Sequence, residues 1–540
     1  MLIGLDFDNT IANYDSLFIE IGLQYGLVKE DWQGNKQDLK DLVFLLPDGH
    51  ETWMRIQGRV YGEFMHKAEL MPGVANFLLH CKSRDIPVCI ISHKTEYGHF
   101  DTKKISLRKE ALKWMEKKNL FKDSYTTLSA ETVFFEDTRE KKVRKIFEIG
   151  CTHFIDDLEE VFKEPSFPKN TDKLLFSTNK QEKANGFNTF DNWTDINKFL
   201  LGKQGSQLAE SSVKAIFNSS AEFITSLDRT GNSQVYDVTL NKKRYAMKIY
   251  PDGLLDKRPR LKTEFKALNF LHKNLINNVP EPIIKDENLN IGFYSWIEGE
   301  EILDTSQKEI DECISFVEKI KSIKNKNSVN FTLASEACLS GEDLKKQINS
   351  RLSKLQNLSE IELELNKFLV NTFNPLLEEV DQKFYKYWPS ESVNKNLANE
   401  KMILSPSDFG LHNALQIKGN KMFFLDFDYF GWDDPVKLAS DFYWHPAMNL
   451  SEEHKSYWLK SMINLFKKKD ILFEDRLKAA LPLYAIRWVL IILNEFLSKD
   501  QKRRQHARST EEYNWKEVKQ FQLTKAFILC SSIREYIKNN

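Results

Sequence analysis

The sequence lacks the patterns typical of a membrane protein, a disulfide-rich domain or a nucleic-acid-binding protein. It contains no run of 18 apolar residues, and its most apolar helical segment, Ala479–Leu493, is interrupted by Arg487, which favours a core helix over a membrane span. Its six cysteines show no Cys-x-x-Cys spacing, as expected for free thiols in a reducing compartment. Lysine plus arginine (77) nearly equals aspartate plus glutamate (78), so the basic excess of nucleic-acid binders is missing. We therefore predict a cytoplasmic protein that binds neither membrane nor nucleic acid, and the oligomeric state stays open.

The length predicts more than one domain, because 540 residues exceed the size of one ordinary domain. A short polar segment with two glycines, Gly202–Gln207 (GKQGSQ), is typical of a linker. We predict a first domain over residues 1–201, a linker over 202–208 and a second domain over 209–540.

Two carboxylates follow the first apolar run of the chain. Met1–Asp6 predicts a buried parallel strand and leads into Asp6-Phe7-Asp8-Asn9-Thr10. Alternation along an extended chain puts Asp6 and Asp8 on the same side, at the strand end where α/β sheets bind ligands. Two such groups can share Mg²⁺ or act as nucleophile and general acid.

Three further features follow in order within the first domain. Pro87–Ile91 predicts a strand that ends at Ser92, and Thr138–Gly150 (TREKKVRKIFEIG) predicts a lysine-rich amphipathic helix. A third strand ends at Asp156-Asp157. Together with the DxDxT motif, this order resembles the haloacid dehalogenase (HAD) superfamily of phosphatases.

The resemblance implies an aspartyl-phosphate mechanism. Asp6 would attack phosphorus and Asp8 would protonate the leaving group. Ser92 and Lys142 would bind the phosphate, with Lys141 and Lys145 as rivals for the lysine. The implied Mg²⁺ ligands are Asp6, Asp8, Asp156 and Asp157.

Residues 12–70 hold amphipathic stretches and few strand signals, and in HAD proteins such an insert is a small helical cap. Its Trp53, Arg55, Arg59 and Tyr61 are candidates for substrate recognition, since arginine binds phosphate and aromatic rings stack. Ordinary packing and surface roles are the alternative. The loop His93–His99 is a candidate substrate contact or a plain polar loop.

A second set of chemical groups lies in Ser405–Asp441. Asp408 is followed five residues later by Asn413, and an apolar run that precedes Asp426 predicts a hairpin strand turned at Gly419-Asn420. Phosphoryl transfer to a hydroxyl uses one carboxylate as base and an amide and a carboxylate for Mg²⁺. This stretch resembles the aminoglycoside phosphotransferase/choline kinase family, relatives of the protein kinases. The resemblance implies that Asp408 is the base and that Asn413 and Asp426 hold Mg²⁺.

Upstream of this stretch, the order of elements fits the same family. Two strands flank a polar turn, Asp228–Ser233; a third strand carries Lys248, and the predicted helix Arg260–Leu271 carries Glu264. The resemblance implies that Lys248 contacts the α- and β-phosphates, that Glu264 orients it, and that Asn290–Ile297 is the hinge to the adenine. The implied phosphate-loop residues are Gly231, Asn232 and Ser233. It also implies an N-lobe over about 209–298 and a C-lobe over about 299–540.

The chain departs from the family pattern at two places. A histidine usually stands two residues before the catalytic aspartate, whereas this chain has Pro406 there, so Ser405 or Ser407 is expected to help orient Asp408. The acid that usually follows the Asp-Pro pair is replaced by Lys437. Asp441 is the expected substitute, and Asp428 is a further candidate acid.

The expected fold is an α/β Rossmann-like HAD domain with a small helical cap, followed by an α+β protein-kinase-like bilobal phosphotransferase domain. The expected function is bifunctional: hydrolysis of a phosphomonoester and ATP-dependent phosphorylation of a small-molecule hydroxyl such as a sugar or amino alcohol, both with Mg²⁺. GTP stays open as donor. The alternatives are a small-molecule kinase with a non-catalytic, metabolite-sensing HAD domain, and a protein kinase. The basic run Lys502-Arg503-Arg504 with Arg508 is predicted to be a solvated loop, and contact with an anionic substrate is the alternative.

Overall fold

The computed structural model describes residues 1–540 except 178–186, 203–204, 228–232, 252, 254–255, 257, 325–329, 359, 390–392, 420, 499–500, 502–513 and 540. The chain divides into two compact units. The first comprises Met1–Thr225 with Thr239–Lys242, and the second comprises Ser226–Val238 with Lys243–Asn540.

The first unit contains eight described strands and nine described helices. The strands are β1 (Ile3–Leu5), β2 (Ala12–Asn13), β3 (Glu69–Leu70), β4 (Val88–His93), β5 (Val133–Glu136), β6 (His153–Asp156), β7 (Asp172–Phe176) and β8 (Asn188–Phe190). The helices are α1 (Asp15–Gln24), α2 (Lys36–Phe44), α3 (Gly49–Tyr61), α4 (Val74–Ser83), α5 (Leu107–Lys117), α6 (Arg139–Ile149), α7 (Glu159–Phe162), α8 (Trp193–Leu201) and α9 (Gly205–Phe217).

A six-stranded parallel sheet in the order β5-β4-β1-β6-β7-β8 forms the centre of this unit. The strand β1 lies between β4 and β6 and is buried along its length, as expected for a central parallel strand. Gly4 permits this packing, because a Cβ there would lie 2.5 Å from the Phe154 ring. The carboxyl ends of β1, β4 and β6 therefore meet at one edge of the sheet.

The first and last residues of the insert over residues 12–70 are joined by a pair of short strands. The strands β2 and β3 are antiparallel, with Ala12 opposite Leu70. Between them lie α1, α2 and α3, and Trp53 stacks on Phe18 at 5.1 Å between ring centroids. The insert is thus a small helical subdomain with its own aromatic core.

The predicted linker over 202–208 was wrong, because α9 begins at Gly205 and belongs to the first unit. Ala209 and Val213 are buried, and Ser124 donates to the main-chain oxygen of Ala215 at 3.3 Å. A helix that buries an apolar face against the unit continues it.

The second unit contains the remaining described elements, except that residues 223–225 and 239–240 of its first two strands are counted with the first unit. Its strands are β9 (Phe223–Leu227), β10 (Gln234–Leu240), β11 (Lys243–Ile249), β12 (Pro282–Asp286), β13 (Ile291–Ser295), β14 (Glu300–Glu301), β15 (Ile403–Ser405), β16 (Ala414–Ile417), β17 (Lys421–Phe424) and β18 (Gly431–Asp433). Its helices are α10 (Arg260–Lys273), α11 (Gln307–Ser322), α12 (Gly341–Gln356), α13 (Leu363–Phe368), α14 (Asn374–Tyr387), α15 (Pro435–Trp444), α16 (Glu452–Phe466), α17 (Phe473–Ile492) and α18 (Trp515–Asn539).

A five-stranded sheet in the order β12-β13-β11-β10-β9 comes first, with β13 antiparallel to β11 and β12. The rest of the unit is mainly helical and includes the predicted hairpin, in which β16 pairs with β17. Small pairings link β14 to this hairpin and β15 to β18. The segments that carry Asp408 and Asp426 lie at the ends of these short strands.

The segment Phe473–Phe496 is long and apolar enough to cross a membrane by length and composition, and 78% of its most apolar window is buried inside the second unit. Its Arg487 is buried and donates to both oxygens of Asp441 at 2.7 and 2.8 Å. Core helices of globular units pass the same test, so this finding is weak evidence for a membrane span.

Candidate active sites

Three carboxylates meet at the carboxyl edge of the parallel sheet. Asp6 follows β1, and Asp156 and Asp157 lie at the end of β6. Oxygen atoms of these three groups all lie within 4.8 Å of one another. Carboxylate oxygens at such spacing are the ligands that Mg²⁺ prefers.

Lys142 lies between two of these carboxylates. Its Nζ donates to Asp6 Oδ1 and to Asp156 Oδ2, each at 2.6 Å, and the side chain is buried. Burial raises the pKa of Asp6 to about 7, because Lys142 only partly offsets the loss of solvent and the neighbouring carboxylates. Burial, with Asp6 and Asp156, likewise raises the pKa of Asp157. The cluster therefore carries more negative charge than one lysine neutralises.

The two rival lysines on α6 do not reach this cluster. Lys141 pairs with Asp137 at 3.3 Å and Lys145 with Glu148 at 2.7 Å. Helical geometry turns Lys141 away, since consecutive residues on a helix point 100° apart. Lys145 lies on nearly the same face as Lys142 but almost one turn further along the helix, where its ammonium group pairs with Glu148.

Asp8, which was also predicted as a metal ligand, is not part of the group that Asp6, Asp156 and Asp157 form. It accepts hydrogen bonds from Lys94 Nζ at 2.8 and 2.9 Å and from the Tyr14 hydroxyl at 2.6 Å. Lys94 is buried and also lies over the Tyr61 ring at 5.0 Å. The carboxylate of Asp8 is thus held by a lysine and a tyrosine.

Other predicted residues divide between the site and the surface. Ser92 is buried in β4, next to the strand that carries Asp6. Of the four candidates in the insert, Tyr61 is the one brought towards the carboxylates: burial and the charges of Asp8 and Asp157 raise its pKa. The other three candidates, Trp53, Arg55 and Arg59, lie respectively in the aromatic core, in an ion pair with Glu51 and in an ion pair with Glu63.

Two lysines of the site were missed by the sequence analysis. Lys94 lies two residues after Ser92, so strand alternation gave a signal for it. In the loop predicted as a substrate contact or a plain polar loop, His93 Nε2 donates to the main-chain oxygen of Asp137 at 2.9 Å, and Lys94 is the residue at the site. Lys36, at the start of α2, donates to Asn9 Oδ1 at 2.7 Å, and no local pattern indicates that contact.

The second unit brings Lys248, Glu264 and Asp426 together. Lys248 Nζ donates to Glu264 at 2.8 Å and to Asp426 at 2.6 Å. Burial lowers the pKa of Lys248, but Asp426 and Glu264 outweigh it and raise the pKa well above its usual value. Tyr250 also donates to Glu264, and Tyr250 and Tyr294 share a hydrogen bond of 2.6 Å between their hydroxyl groups. The predicted lysine–glutamate pair is present in this unit.

Asp428 lies beside this group and forms an ion pair with an arginine. Arg260 donates to Asp428 at 2.7 Å and to Asp256 at 2.7 Å. Burial and the neighbouring Asp426 raise the pKa of Asp428 to about 6, although Lys248 and Arg260 lower it. One oxygen of Asp428 is buried without a hydrogen-bond partner among the described residues. Carboxylate oxygens of Glu264, Asp426 and Asp428 lie within 4.8 Å of one another, which is compatible with a divalent cation.

Only one residue of the predicted phosphate loop can be placed. Ser233 is buried, and its hydroxyl has no hydrogen-bond partner within the described part of the chain. Gly231 and Asn232 lie outside the described residues.

Asp408 is held by two stacked histidines. Oδ1 of Asp408 lies 3.0 Å from His412 Nε2 and 3.4 Å from His445 Nε2, and the two imidazole rings stack with centroids 3.7 Å apart. The main-chain N–H of Ala447 donates to His445 Nδ1 at 3.2 Å, so a neutral His445 carries its proton on Nε2 and donates it to Asp408. Burial raises the pKa of Asp408, but the two histidines hold it well below its usual range.

The expected orienting serines do not contact the Asp408 carboxylate. Ser405 Oγ accepts from the main-chain N–H of Ser407 at 3.0 Å, and Ser407 Oγ accepts from Lys437 at 2.8 Å. His412 and His445 stand where the sequence analysis expected these serines. His445 comes from the end of α15, 37 positions after Asp408, so no local spacing indicated it.

Lys437 and Asp441 form part of a buried ion-pair network. Lys437 lies 3.1 Å from Asp433 and 3.4 Å from Asp441, and Asp441 also accepts from Arg487. Asp441 therefore acts on Asp408 only through neighbouring groups in this structure. Asn413 donates to the main-chain oxygen of Asp408 at 2.9 Å.

The groups around Lys248 and Asp408 line one cavity of about 1770 Å³ in the second unit. Ser407 and Asp426, on opposite segments of its wall, have positive φ angles of 70° and 65°. Such conformations cost about 1–3 kcal/mol in non-glycine residues and cluster at functional sites. The cavity is therefore lined by Lys248, by the carboxylate group of Glu264, Asp426 and Asp428, and by Asp408 with its two histidines.

Comparison with known proteins gives one family. Residues 225–453 match the model of the phosphotransferase enzyme family. The second unit contains a phosphotransferase domain. The prediction of such a domain is thereby confirmed for the matched residues, which begin later than the predicted 209 and end before 540.

Solved structures of phosphotransferases also match. A spectinomycin phosphotransferase in complex with ADP and spectinomycin is 14% identical, covering 60% of this chain and 98% of its own, with a TM-score of 0.40. A choline kinase from Streptococcus pneumoniae is 14% identical over 61% and 99%, with a TM-score of 0.39. An ethanolamine kinase from Plasmodium vivax is 13% identical over 61% and 91%, with a TM-score of 0.38. The comparison with curated proteins gave no match.

Proposed function

We propose that the second unit transfers the γ-phosphate of ATP to a hydroxyl of a small molecule. The observation that carries this proposal is the shared cavity, in which Lys248 with Glu264 stands in one part and the histidine-held Asp408 in another. In the transfer, the acceptor oxygen bonds to the γ-phosphorus and the bond from that phosphorus to ADP breaks. The hydroxyl proton passes to Asp408, and ADP leaves.

Each residue has a defined task in this reaction. Lys248 binds the phosphates and is oriented by Glu264. The low pKa of Asp408 keeps its carboxylate ionised, so that it accepts the hydroxyl hydrogen bond and aligns the oxygen. Asn413, Asp426 and Asp428 are the residues that would hold Mg²⁺, which neutralises phosphate charge when bound.

For the first unit we propose hydrolysis of a phosphomonoester. Asp6 is the nucleophile: it attacks phosphorus and forms an aspartyl-phosphate as the bond from phosphorus to the alcohol oxygen breaks, and Asp8 protonates that leaving oxygen. Water, which gives a proton back to Asp8, then attacks the aspartyl-phosphate, so that inorganic phosphate leaves and Asp6 is restored. Lys142 and Ser92 bind the phosphate, while Asp6, Asp156 and Asp157 would hold Mg²⁺, which lowers the charge repulsion between phosphate and carboxylates when bound. The HAD-like arrangement at the edge of the parallel sheet supports this proposal.

Two alternatives lead to different outcomes. A metabolite-sensing first unit would bind a phosphorylated compound without turning it over, and a protein kinase would label a protein with phosphate from ATP. We expect the protein to act in the cytoplasm on small molecules, without membrane or nucleic acid.

The test follows ADP and free phosphate separately while the full chain is incubated with Mg²⁺, ATP and a panel of alcohols and phosphomonoesters. We expect acceptor-dependent ADP that disappears in Asp408→Asn, and free phosphate from a phosphomonoester that disappears in Asp6→Asn. Each variant is the control for the other, since each substitution preserves size. ADP formation that persists in Asp408→Asn would contradict the transferase proposal, and phosphate release that persists in Asp6→Asn would contradict the hydrolase proposal.

A further inference from the structure

Cationic side chains from three helices form part of the lining of the cavity in the second unit. We call them the cationic wall: Lys346, Arg351 and Lys354 of α12, Arg487 of α17 and Lys525 of α18. On α12, Lys346 and Lys354 are eight positions apart, and Ser350 between them also lines the cavity. A helix places residues at such intervals on one face, so α12 presents a cationic face to the cavity.

Hydrogen bonds place this wall close to Asp408. Ser407 Oγ donates to the main-chain oxygen of Ser335 at 3.3 Å. Asp408 directly follows Ser407, and Glu336 directly follows Ser335. The two carboxylates therefore lie on segments that contact each other. Glu336 accepts a hydrogen bond from Arg351 and lies 4.0 Å from Arg487. Arg351 and Arg487 are therefore at the Asp408 end of the cavity.

Glu336 shows that an anion is stabilised at this place. Burial raises the pKa of Glu336, but Arg351, Arg487 and Arg258 outweigh it and lower the pKa to about 2. Its backbone has a positive φ of 57°, a conformation that costs about 1–3 kcal/mol in a non-glycine residue. The side chain is a carboxylate of the cavity lining, 42% exposed, that is held against arginine groups which also face the cavity.

The wall carries positive charge beyond what its ion pairs neutralise. The arginines Arg351 and Arg487 are matched by Glu336 and Asp441. Lys354 and Lys525 are exposed, and neither forms an ion pair with a carboxylate in the described part of the chain. An ammonium group of an acceptor would be repelled here, whereas guanidinium and ammonium groups bind phosphate and carboxylate.

We propose that the hydroxyl acceptor of the second unit is an anionic small molecule, whose phosphate or carboxylate binds Arg351 and Lys354 while its hydroxyl lies at Asp408. This inference rests on the proposed phosphotransfer and adds the chemical class of the acceptor. The carboxylate of Glu336 is bound to Arg351 in this structure, and it marks the position that the anionic group of the acceptor would take.

The first experiment measures anion binding without turnover. Radiolabelled sulfate is the probe, in equilibrium dialysis of the full chain saturated with Mg²⁺ and a non-hydrolysable ATP analogue. We expect Arg351→Gln to weaken the sulfate binding roughly 10-fold or more, as expected for loss of a charge-assisted hydrogen bond. Glu336→Gln should strengthen it, because the substitution removes the competing carboxylate.

Two further variants make the comparison specific. Lys354→Gln changes an exposed side chain and leaves packing intact, and it should also weaken sulfate binding. Lys367→Gln is the matched control, because Lys367 is an exposed lysine of α13, paired with Glu364 and away from the cavity lining. Equal sulfate binding by the Arg351, Lys354 and Lys367 variants would overturn the proposal.

The second experiment compares matched acceptors in an Asp6→Asn background, which keeps the first unit from hydrolysing phosphorylated compounds. Glycerol, glycerol 3-phosphate and glycerate form one set, glucose, glucose 6-phosphate and glucuronate another, and choline represents cationic acceptors. We expect ADP formation with an anionic compound of one set. Comparison of the phosphate with the carboxylate in that set shows which of the two anionic groups the site binds. Arg351→Gln should raise the KM for that acceptor roughly 10- to 100-fold and leave the KM for ATP within about twofold.

The outcomes separate this inference from the proposed transferase function. Turnover of choline or of neutral members, with a KM that is unchanged in Arg351→Gln, would overturn the anionic acceptor and leave phosphotransfer intact. Absence of nucleotide binding, together with sulfate binding that depends on Arg351, would remove the transferase proposal and leave an anion site.

Discussion

Replacing Lys142 by methionine is the most direct test of the charge balance in the first unit. The substitution keeps the length of the side chain and removes the ammonium that lies 2.6 Å from both Asp6 and Asp156. Removing one partner of a buried ion pair typically costs about 3–5 kcal/mol, because a buried charge loses its compensation. We expect a loss of this size in the stability of the first unit at pH 8.

The loss should be smaller at pH 5. The pKa of Asp6 is about 7 even beside Lys142, so at pH 5 its carboxyl is protonated with or without the lysine. Only the contact with Asp156 is then lost. A cost that shrinks on acidification is specific to an ion pair, whereas a packing defect would cost the same at both pH values.

Hydrogen exchange of the β1 amides is the assay, because it reports on the first unit within the full chain. The main-chain N–H of Asp6, for example, donates to Ile155 at 2.8 Å. A loss of about 3–5 kcal/mol accelerates exchange by roughly two to four orders of magnitude. Lys145→Met on the same helix is the control, since a solvent-accessible ion pair such as that of Lys145 with Glu148 contributes little to stability. Equal exchange in the two variants at pH 8 would refute the reasoning.

Three further outcomes follow. His445→Ala should lower kcat for ADP formation roughly 10- to 100-fold with an unchanged KM for ATP, and His445→Gln, which keeps a donor to Asp408, should retain most of it; equal losses would mean a packing role. Because the pKa of Asp6 is raised, its contribution to stability is present below about pH 4 and is lost as the pH rises through about 7. Mg²⁺ binds the ionised carboxylate, so it should raise the melting temperature of the first unit more at pH 8 than at pH 5. A larger increase at pH 5 would contradict the metal cluster. Gly4→Ala should destabilise the first unit by about 1–3 kcal/mol in urea unfolding, because its Cβ would lie 2.5 Å from Phe154, and an unchanged midpoint would contradict the tight packing.

Local patterns were enough to predict the elements that carry most candidate residues. The alternation and apolar runs around Asp6, Ser92 and Lys248 indicated strands, and the helix with Glu264 was expected almost to its ends. The Asp408-to-Asn413 spacing indicated phosphotransfer, and the family match includes both residues. Such signals are readable because burial and hydrogen bonding fix the period of each element.

The boundary between the units was not readable in this way. The glycines and polar residues after Leu201 are typical of a linker, yet α9 starts at Gly205 and packs on the first unit. The cap residues show the same limit, since Arg55 and Arg59 pair on the surface while Tyr61 lies near Asp8. Which face of a helix is buried depends on its neighbours.

The sequence by itself determined which chemical groups this protein has and which strands and helices carry them, because those depend on residue type and local period. The tertiary structure alone decided the partners of those groups. Lys94 rather than a metal cluster holds Asp8, and His445 holds Asp408 across 37 positions. Contacts between distant segments are set by packing of whole elements, a long-range property that no local spacing encodes.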